Sequence, residues 1–582
     1  MRRTKIVCTL GPSSRDESVL SALIEAGMNV ARFNFSHGTH AEHAAVIATL
    51  RQAAKKLKKN IAILLDTKGP EIRIGKFLNG KVTLQAGELF TLTTKQVQGT
   101  TEQVYVNYPG IVKDVRPGMQ ILLDDGLIVL EIMAVTDTAV NCRVLTGGEL
   151  ADNKGVNIPA ARLQMPALSE KDRADIIFAM KYDFDFIAAS FTRRADDILA
   201  IRALLEEFHS DIPIIAKIEN EEGVAEIDKI LAVADGVMVA RGDLGVEVPA
   251  EDVPLIQKKL IKKCNAVGKP VIIATQMLES MIHNPRPTRA EASDVANAIF
   301  DGADAVMLSG ETAVGKYPVE AVQTMARIAA RAETALEYES NLEVIAAPPE
   351  PSVTDAIAFA TCHAAQELKA KAIITATQSG FTARHVAKYK PKARIVAVTP
   401  RKAVARRLSL TWGVFPLLCP PMANTDEMFA AAIEAALANK YIHNGDLVVI
   451  TAGVPVGISG TTNLLRIQTV GEVVLRGTGL GKKAVTGAVK LARTAAEAAA
   501  LAKDQILVTT ATDKDFTPYL KRAAGLLVEE GGLTSHAAVV ALHLGLPVIV
   551  GAAAATTILQ DGEIITLDTV RGLVYRGRAT TL

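Results

Sequence analysis

Short apolar runs alternate with stretches of helical spacing along most of the chain. KIVCTL reads as a strand and SVLSALIEAG as a helix with one apolar face. MNVARF, a helix over 40–57 and IAILLD repeat the pattern. From about 69 to 166 the texture changes. KVTLQAGELFTLTT, QVYVNY, MQILLDDGLIVLEIMAV and AVNCRVLTGG are β-rich runs split by Gly and Asp, and Asp124-Asp125-Gly126 is a hairpin signal. The spacing predicts a small antiparallel β module inserted into the alternating pattern. After LSEKDRADIIFAMKY the alternation resumes with DFIAAS, IPIIAKI, GVMVA, PVIIAT and DAVMLS. Three strands before the insertion and five after it make eight βα units, which predicts a TIM barrel with its chemistry at the strand ends.

Beyond the barrel, AAPPEP at 346–351 reads as a linker. AIITAT, RIVAVT and DLVVITAG then alternate with helices up to about Gly471, giving another α/β domain. The last segment carries its own strands, an Ala-rich helix expected over 485–502, and a final hairpin in EIITLDTVRGLVYRG. The expected layout is barrel at 1–68 and 167–345, β-barrel lid at 69–166, α/β domain at 346–472 and an extra domain at 473–582. With 582 residues the chain is long enough for about four domains at ~150 residues each.

Charge narrows the partners. Lys and Arg number 64 against 63 Asp and Glu, so neither nucleic acid nor an anionic membrane is an expected partner. The five cysteines, Cys8, Cys142, Cys264, Cys362 and Cys419, form no CxxC pair, which argues against a disulfide scaffold or a zinc site. The N-terminus has no secretory apolar core, and a cytoplasmic setting is expected. Residues 531–560 carry no Asp, Glu, Lys or Arg, but Gly545, Pro547 and Gly551 interrupt the run. A helix at 535–544 and a buried strand at 546–550 are expected there rather than a membrane span.

Polar residues gather where barrel strands end. These are Arg32, Asn34, Ser36 and His37 after the second strand, Asp66 and Thr67 after the third, Lys217 and Glu219 after the fifth. Arg241, Gly242 and Asp243 follow the sixth, and Thr275 the seventh. Lys217 and Glu219 are two apart on a strand and share a face. Glu219 and Asp243 offer two hard carboxylates suited to Mg²⁺, and a lysine beside them could neutralise a phosphoryl group in transfer. A structural Lys–Glu pair is the plainer alternative, and the neighbouring RGDLG weighs against it. Asn34, Ser36, Asp66 and Thr67 suit a weakly charged cation, but loop capping by such residues is commoner and spacing does not decide between them. Gly242 alone reads as a turn residue.

At this point a resemblance becomes specific. MNVARFNFSHG, LLDTKGPEIRIG, IIAKIENEEGV, VMVARGDLGVEV, ATQMLESM and PTRAEASDVANAIFDGADAVMLSGETAVGKYP resemble the motif set of the pyruvate kinase family, in its order, over residues 1–473. The resemblance implies a barrel, a mobile β lid and an allosteric α/β domain. It implies transfer of a phosphoryl group from phosphoenolpyruvate to ADP, giving pyruvate and ATP in glycolysis. Lys217, Thr275 and Arg32 would be catalytic, and Arg32, Gly242, Asp243 and Thr275 would bind phosphoenolpyruvate. Glu219 and Asp243 would hold Mg²⁺ or Mn²⁺. Asn34, Ser36, Asp66 and Thr67 would hold K⁺. Asn34, His37, Arg73 and Lys154 would face the nucleotide. A homotetramer is also implied. NKGVNIPA carries Ala160 where the family usually has glycine, which bears on the lid's local hinge.

In AIITATQSGFTARHVAKY a hydroxyl-rich loop precedes a helix. Ordinary N-capping would explain it, but the family's corresponding loop takes phosphorylated effectors, so Thr377, Ser379, Gly380 and Thr382 are candidate effector residues. Trp412 and the loop GVPVGISGTTN lie in the same expected domain. EEGGLTSHAAVVALHLGLPVIVG resembles the mobile phosphohistidine domain of phosphoenolpyruvate-utilising enzymes, with His536 at the phosphate-carrying position. A complete pyruvate kinase needs no carrier, so a docking or regulatory role is expected for that segment. Two other readings compete: phosphotransfer through His536, and a metabolite-sensing pseudoenzyme. The second predicts loss of Lys217, Glu219, Asp243 or Thr275, and all four are present.

Overall fold

The computed structural model describes residues 1–159, 161–338, 352–421, 424–454 and 460–579. The expected linker at 346–351, Ala160 and the middle of the 453–463 loop lie outside the described residues. The described chain forms two compact units. One holds residues up to 338 with 387–390 and 401–416; the other holds 352–386, 391–400 and the residues from 417 on.

In the first unit, eight parallel strands close into a barrel: Lys5–Thr9, Val30–Asn34, Ala62–Asp66, Phe186–Ala189, Ile214–Ile218, Gly236–Ala240, Val271–Ala274 and Ala305–Leu308. Each is a short apolar run buried on both faces, as a sheet covered by crossover helices requires. Val7, Val30, Leu64, Ala188, Ile215 and Met238 fill the interior, and alternate residues pack outward against the helices. Capping boxes start several helices. Thr39 with Glu42 opens His40–Lys56, and Ser169 with Asp172 opens Glu170–Lys181.

Between the third and fourth barrel strands lies the inserted β module. Its six-stranded sheet runs in the order Val156–Asn157, Gln120–Leu123, Ile128–Val135, Ala139–Thr146, Leu89–Thr93, Gln103–Tyr105. Lys81–Leu84 and Gly148–Ala151 pair separately as a ribbon. The Asp-Asp-Gly turn joins Gln120–Leu123 to Ile128–Val135, with all three turn residues at positive φ. One short helix, Ile111–Asp114, has too few residues to show a helical period in the sequence.

The second unit contains a five-stranded sheet, in which Arg394–Thr399, Ala372–Ala376 and Leu447–Ala452 run parallel and Leu464–Thr469 adds antiparallel. It also contains an eight-stranded mixed sheet built from Val473 onward. The helix expected over 485–502 is a correction. Ala484–Leu491 is a strand, pairing with Gln505–Thr509 and Ile564–Asp568, and only Ala495–Ala498 is helical. β-branched Val485, Thr486 and Val489 favour the strand, and a Cβ at Gly487 would come within 2.7 Å of the Asp504 carbonyl. The uncharged stretch resolves into helix His536–Leu544, closed by Gly545 at φ +65°, and strand Val548–Val550. Among the described residues no helix is long and apolar enough to cross a membrane.

Candidate active site

The barrel's inner face continues upward into a polar layer. Two residues beyond the apolar Val7, Val30, Leu64, Ala188 and Ile215 stand Thr9, Arg32, Asp66, Ser190 and Lys217. The two-residue strand period sends all five to the same interior, at the end where barrel chemistry sits.

Buried Asp66 organises the layer. It accepts from Arg32 Nε at 2.6 Å and Lys217 Nζ at 3.0 Å. Arg32 also donates to the Thr9 hydroxyl at 2.8 Å. Lys217 Nζ donates to Ser190 Oγ at 2.6 Å and pairs with Glu219 Oε1 at 3.0 Å. Burial pulls the Lys217 pKa down, but the Asp66 and Glu219 carboxylates outweigh it and hold the ammonium up at about 12. Burial pushes Asp66 upward, yet Arg32 and Lys217 bring it below the usual carboxylate range.

Glu219 and Asp243 behave differently. Burial raises both, Lys217 opposes the rise, and at Glu219 the neighbouring Asp243 adds to it. The Phe191 N–H donates to Glu219 Oε2 at 2.5 Å. Two adjoining carboxylates that resist ionisation together form a donor pair suited to a divalent cation. Mg²⁺ uses one or two carboxylates and completes its shell with water and substrate oxygens. Among the described residues no group of three or more His, Cys, Asp or Glu side chains gathers into a protein-only metal cage.

Thr275 stands at φ +68° and Gln276 at φ +54°, a left-handed pair immediately after the seventh strand. Non-glycine residues visit that region uncommonly, so the turn has to be held. The Gly242 N–H donates to Thr275 Oγ1 at 2.7 Å, and that hydroxyl donates to the Ala274 carbonyl at 2.6 Å. Arg241 grips Asp294 through two 2.7 Å bonds and donates to the Thr275 carbonyl at 2.9 Å.

Register brings Asn34 opposite Asp66. Asn34 Oδ1 accepts from the Ser36 N–H at 3.0 Å, and Thr67 Oγ1 accepts from the Ser190 N–H at 3.1 Å. With Asp66 already paired to two cations, this corner offers mainly neutral oxygens, a set suited to a monovalent ion. The nucleotide candidates divide between two elements. Asn34 and exposed His37 lie on the barrel. Half-buried Arg73 and Lys154 lie on the inserted module, Arg73 beside Glu71 at 2.6 Å and Lys154 beside Asp124 at 2.8 Å. A cleft of about 650 Å³ separates module and barrel, bordered by Glu71, Asp125, Phe191, Arg193, Asn220 and Asp243.

Sequence reasoning missed Ser190, the Phe191 N–H and the Arg241–Asp294 pair. Ser190 was within reach, because DFIAAS is a barrel strand and its end belongs with the others. The other two depend on a backbone group and on a contact 53 residues away in sequence.

In the second unit, Gly380 at φ +80° donates its N–H to Thr377 Oγ1 at 2.9 Å, and Thr382 shares a 2.8 Å hydrogen bond with Thr462. Ser379 lies in the same turn, with its carbonyl 3.3 Å from Arg384. His536 opens the helix His536–Leu544, its Nδ1 3.0 Å from the Thr512 hydroxyl. Trp412, expected in the α/β domain, falls in the first unit, and its backbone N–H donates to Asp304 at 3.2 Å.

Comparison with known proteins agrees with this geometry. Residues 1–322 match the family described as pyruvate kinase, barrel domain, and 355–468 match pyruvate kinase, alpha/beta domain. Residues 501–572 match PEP-utilising enzyme, mobile domain. The chain is 56% identical to a pyruvate kinase of Geobacillus stearothermophilus and 55% identical to one of Bacillus licheniformis, each over the full length of both proteins. The crystal structure of a pyruvate kinase from Cryptosporidium parvum superposes with a TM-score of 0.77 at 40% identity, covering 80% of this chain and 96% of that one. A barrel with this polar layer, an end-to-end relative more than half identical, and two domain matches in the same order lead to one conclusion: the chain belongs to the pyruvate kinase family.

Proposed function

We propose that the barrel mouth transfers the phosphoryl group of phosphoenolpyruvate to ADP, giving pyruvate and ATP. The observation that carries this reading is the state of Lys217. It is a buried, charged ammonium fixed among Asp66, Ser190 and Glu219, beside a second cation, Arg32. Such a pair stabilises charge where it develops as the bond between phosphorus and the enol oxygen breaks. Arg32 binds the phosphoryl oxygens. Lys217 stabilises the phosphoryl in transfer and the enolate left behind. Gly242, Asp243 and Thr275 orient phosphoenolpyruvate, and the Thr275 hydroxyl lies on the route that protonates the enol carbon.

Glu219 and Asp243 would hold Mg²⁺ or Mn²⁺, which supplies positive charge to the substrate oxygens when bound. Asn34, Ser36, Asp66 and Thr67 would hold K⁺. Asn34, His37, Arg73 and Lys154 would contact ADP, and the inserted module would act as a lid that excludes water. Regulation would come from a phosphorylated small molecule at Thr377, Ser379, Gly380 and Thr382. The reading includes a cytoplasmic homotetramer, and five free cysteines, four of them buried, fit a reducing setting.

A coupled assay with purified full-length protein tests the reading. Pyruvate should form only when phosphoenolpyruvate, ADP and Mg²⁺ are all present, one per ATP. Absence of pyruvate under those conditions would refute it.

A further inference from the structure

The loop after the fourth barrel strand reaches two places within five residues. At its start, Ser190 receives Lys217, and the Phe191 N–H holds Glu219. At its end, Arg193 and Arg194 hold the chain returning from the inserted module. Arg193 donates to the Leu163 carbonyl at 3.0 Å and to the Met165 carbonyl at 2.9 Å, and Arg194 approaches the Leu163 carbonyl at 3.4 Å. Arg193 is only 7% exposed. Asp197 fixes it at both ends, accepting from its backbone N–H at 2.8 Å and from its guanidinium at 3.2 Å.

The outgoing chain meets the same loop. Gly69 stands at φ +70°, and a Cβ there would come within 2.9 Å of Ser190 and 3.0 Å of the Phe191 ring. In the middle of the loop, the Thr192 carbonyl accepts from the side chain of Asn220, the residue after Glu219. Both crossings between barrel and module therefore bear on residues 190–194, and those residues touch the lysine and the carboxylate of the proposed centre.

We propose that Arg193 is a positioning residue for phosphoryl transfer: its grip on the Leu163 and Met165 carbonyls fixes the attitude of the inserted module against the loop that aims Glu219. The inference rests on the reading of that module as a lid. A planar guanidinium spans two carbonyls at once; a lysine ammonium is a point charge on a flexible stem and cannot reproduce the fork. Misplacing reacting groups by about 1 Å costs up to about 10²-fold in rate.

A loosened lid also admits water. The bond between phosphorus and the enol oxygen breaks in either case. With ADP as acceptor the products are ATP and pyruvate. With water as acceptor its oxygen bonds to phosphorus and the group leaves as inorganic phosphate, one proton of the water goes by way of solvent to the enolate carbon, and pyruvate forms without ATP. The ratio of pyruvate to ATP thus reports lid attitude, and a residue with a purely structural role leaves it at one.

The test uses full-length Arg193→Lys and Asp197→Asn, with pyruvate and ATP measured separately and a melting curve for each variant. Asp197→Asn keeps the guanidinium but weakens its anchor. Arg193→Lys should lower kcat for ATP about tenfold, raise KM for ADP and lift the pyruvate-to-ATP ratio above one, with Asp197→Asn intermediate. A folded Arg193→Lys enzyme with a ratio of one and wild-type kcat overturns the proposal. If Arg193→Lys does not fold, Asp197→Asn decides by the same ratio. A wild-type protein that forms no pyruvate refutes the functional reading instead, and the inference with it.

Discussion

At the floor of the barrel, where the strands begin, Asp304 accepts from Lys390 at 3.0 Å, from the Trp412 N–H at 3.2 Å and from the Val271 N–H at 3.1 Å. Glu333 there accepts from the backbone N–H groups of Arg3 and Thr4, and Lys5 Nζ donates to the Val414 carbonyl at 2.6 Å. At the mouth, where the strands end, Asp66, Lys217 and Glu219 form an equally buried network. Lys5 is 4% exposed and Lys217 8%, so burial does not separate the two lysines. Burial, with Arg2 adding to it, drives the Lys5 pKa down to about 7, while Lys217 stands at about 12. The lysine displaced further from its ordinary value is at the floor. A perturbed pKa therefore does not find the chemistry in this barrel. The floor carboxylates are satisfied by fixed N–H groups and ammonium ions. The mouth sets two carboxylates, Glu219 and Asp243, side by side, and Asp243 borders the cleft between module and barrel.

The contrast breaks most sharply at Lys217. Lys217→Met should lower turnover on the order of 10³-fold or more, with phosphoenolpyruvate binding retained. Near-normal turnover would remove the assigned role. Ions come next. Chelating Mg²⁺ should abolish turnover, and replacing K⁺ with a bulky organic cation should lower it at least about tenfold. Full activity in K⁺-free buffer would free Asn34, Ser36, Asp66 and Thr67 from their ion.

At the floor the effect should fall on stability. Asp304→Ala strands the buried Lys390 ammonium and should destabilise the barrel by about 3–5 kcal/mol. Turnover of the folded fraction should stay within about twofold of wild type, since floor residues of such barrels serve stability. A kcat loss at full folding would show that the floor takes part in chemistry. The floor also carries a pH effect. The unfolded chain protonates Lys5 at the ordinary 10.5, the folded barrel at about 7. Between those values the unfolded state binds more protons, so stability should rise with pH across that window. Lys5→Met should flatten that rise in a series of melting curves, and an unchanged slope would contradict the assignment.

The mouth was legible in the sequence and the floor was not. Strand ends follow apolar runs, and a two-residue period places Arg32, Asp66 and Lys217 on one inner face. The Asp304–Lys390 pair and the seat of Trp412 join residues about 90 to 110 apart in sequence, and no local pattern carries such contacts. Ser190 ends the strand DFIAAS, and its place in the inner register is what marks it out. The extra segment shows the opposite failure. An alanine run beyond Arg493 drew a helix back over a strand whose β-branched residues and close-packed Gly487 decide its conformation. His536 also reads clearly in the sequence, yet among the described residues its ring meets the Thr512 hydroxyl and no converging ion pairs like those around Lys217.

The central claim is that the phosphoryl group moves directly between substrates at the barrel mouth. A single-turnover quench of His536→Ala, with radiolabelled phosphoenolpyruvate, ADP, Mg²⁺ and K⁺, tests it most directly. Label should pass to ATP at the wild-type rate, with none on the protein at any time. Loss of transfer in that variant, or label on His536 in the wild-type chain before ATP appears, would contradict direct transfer and put the chemistry on the histidine instead.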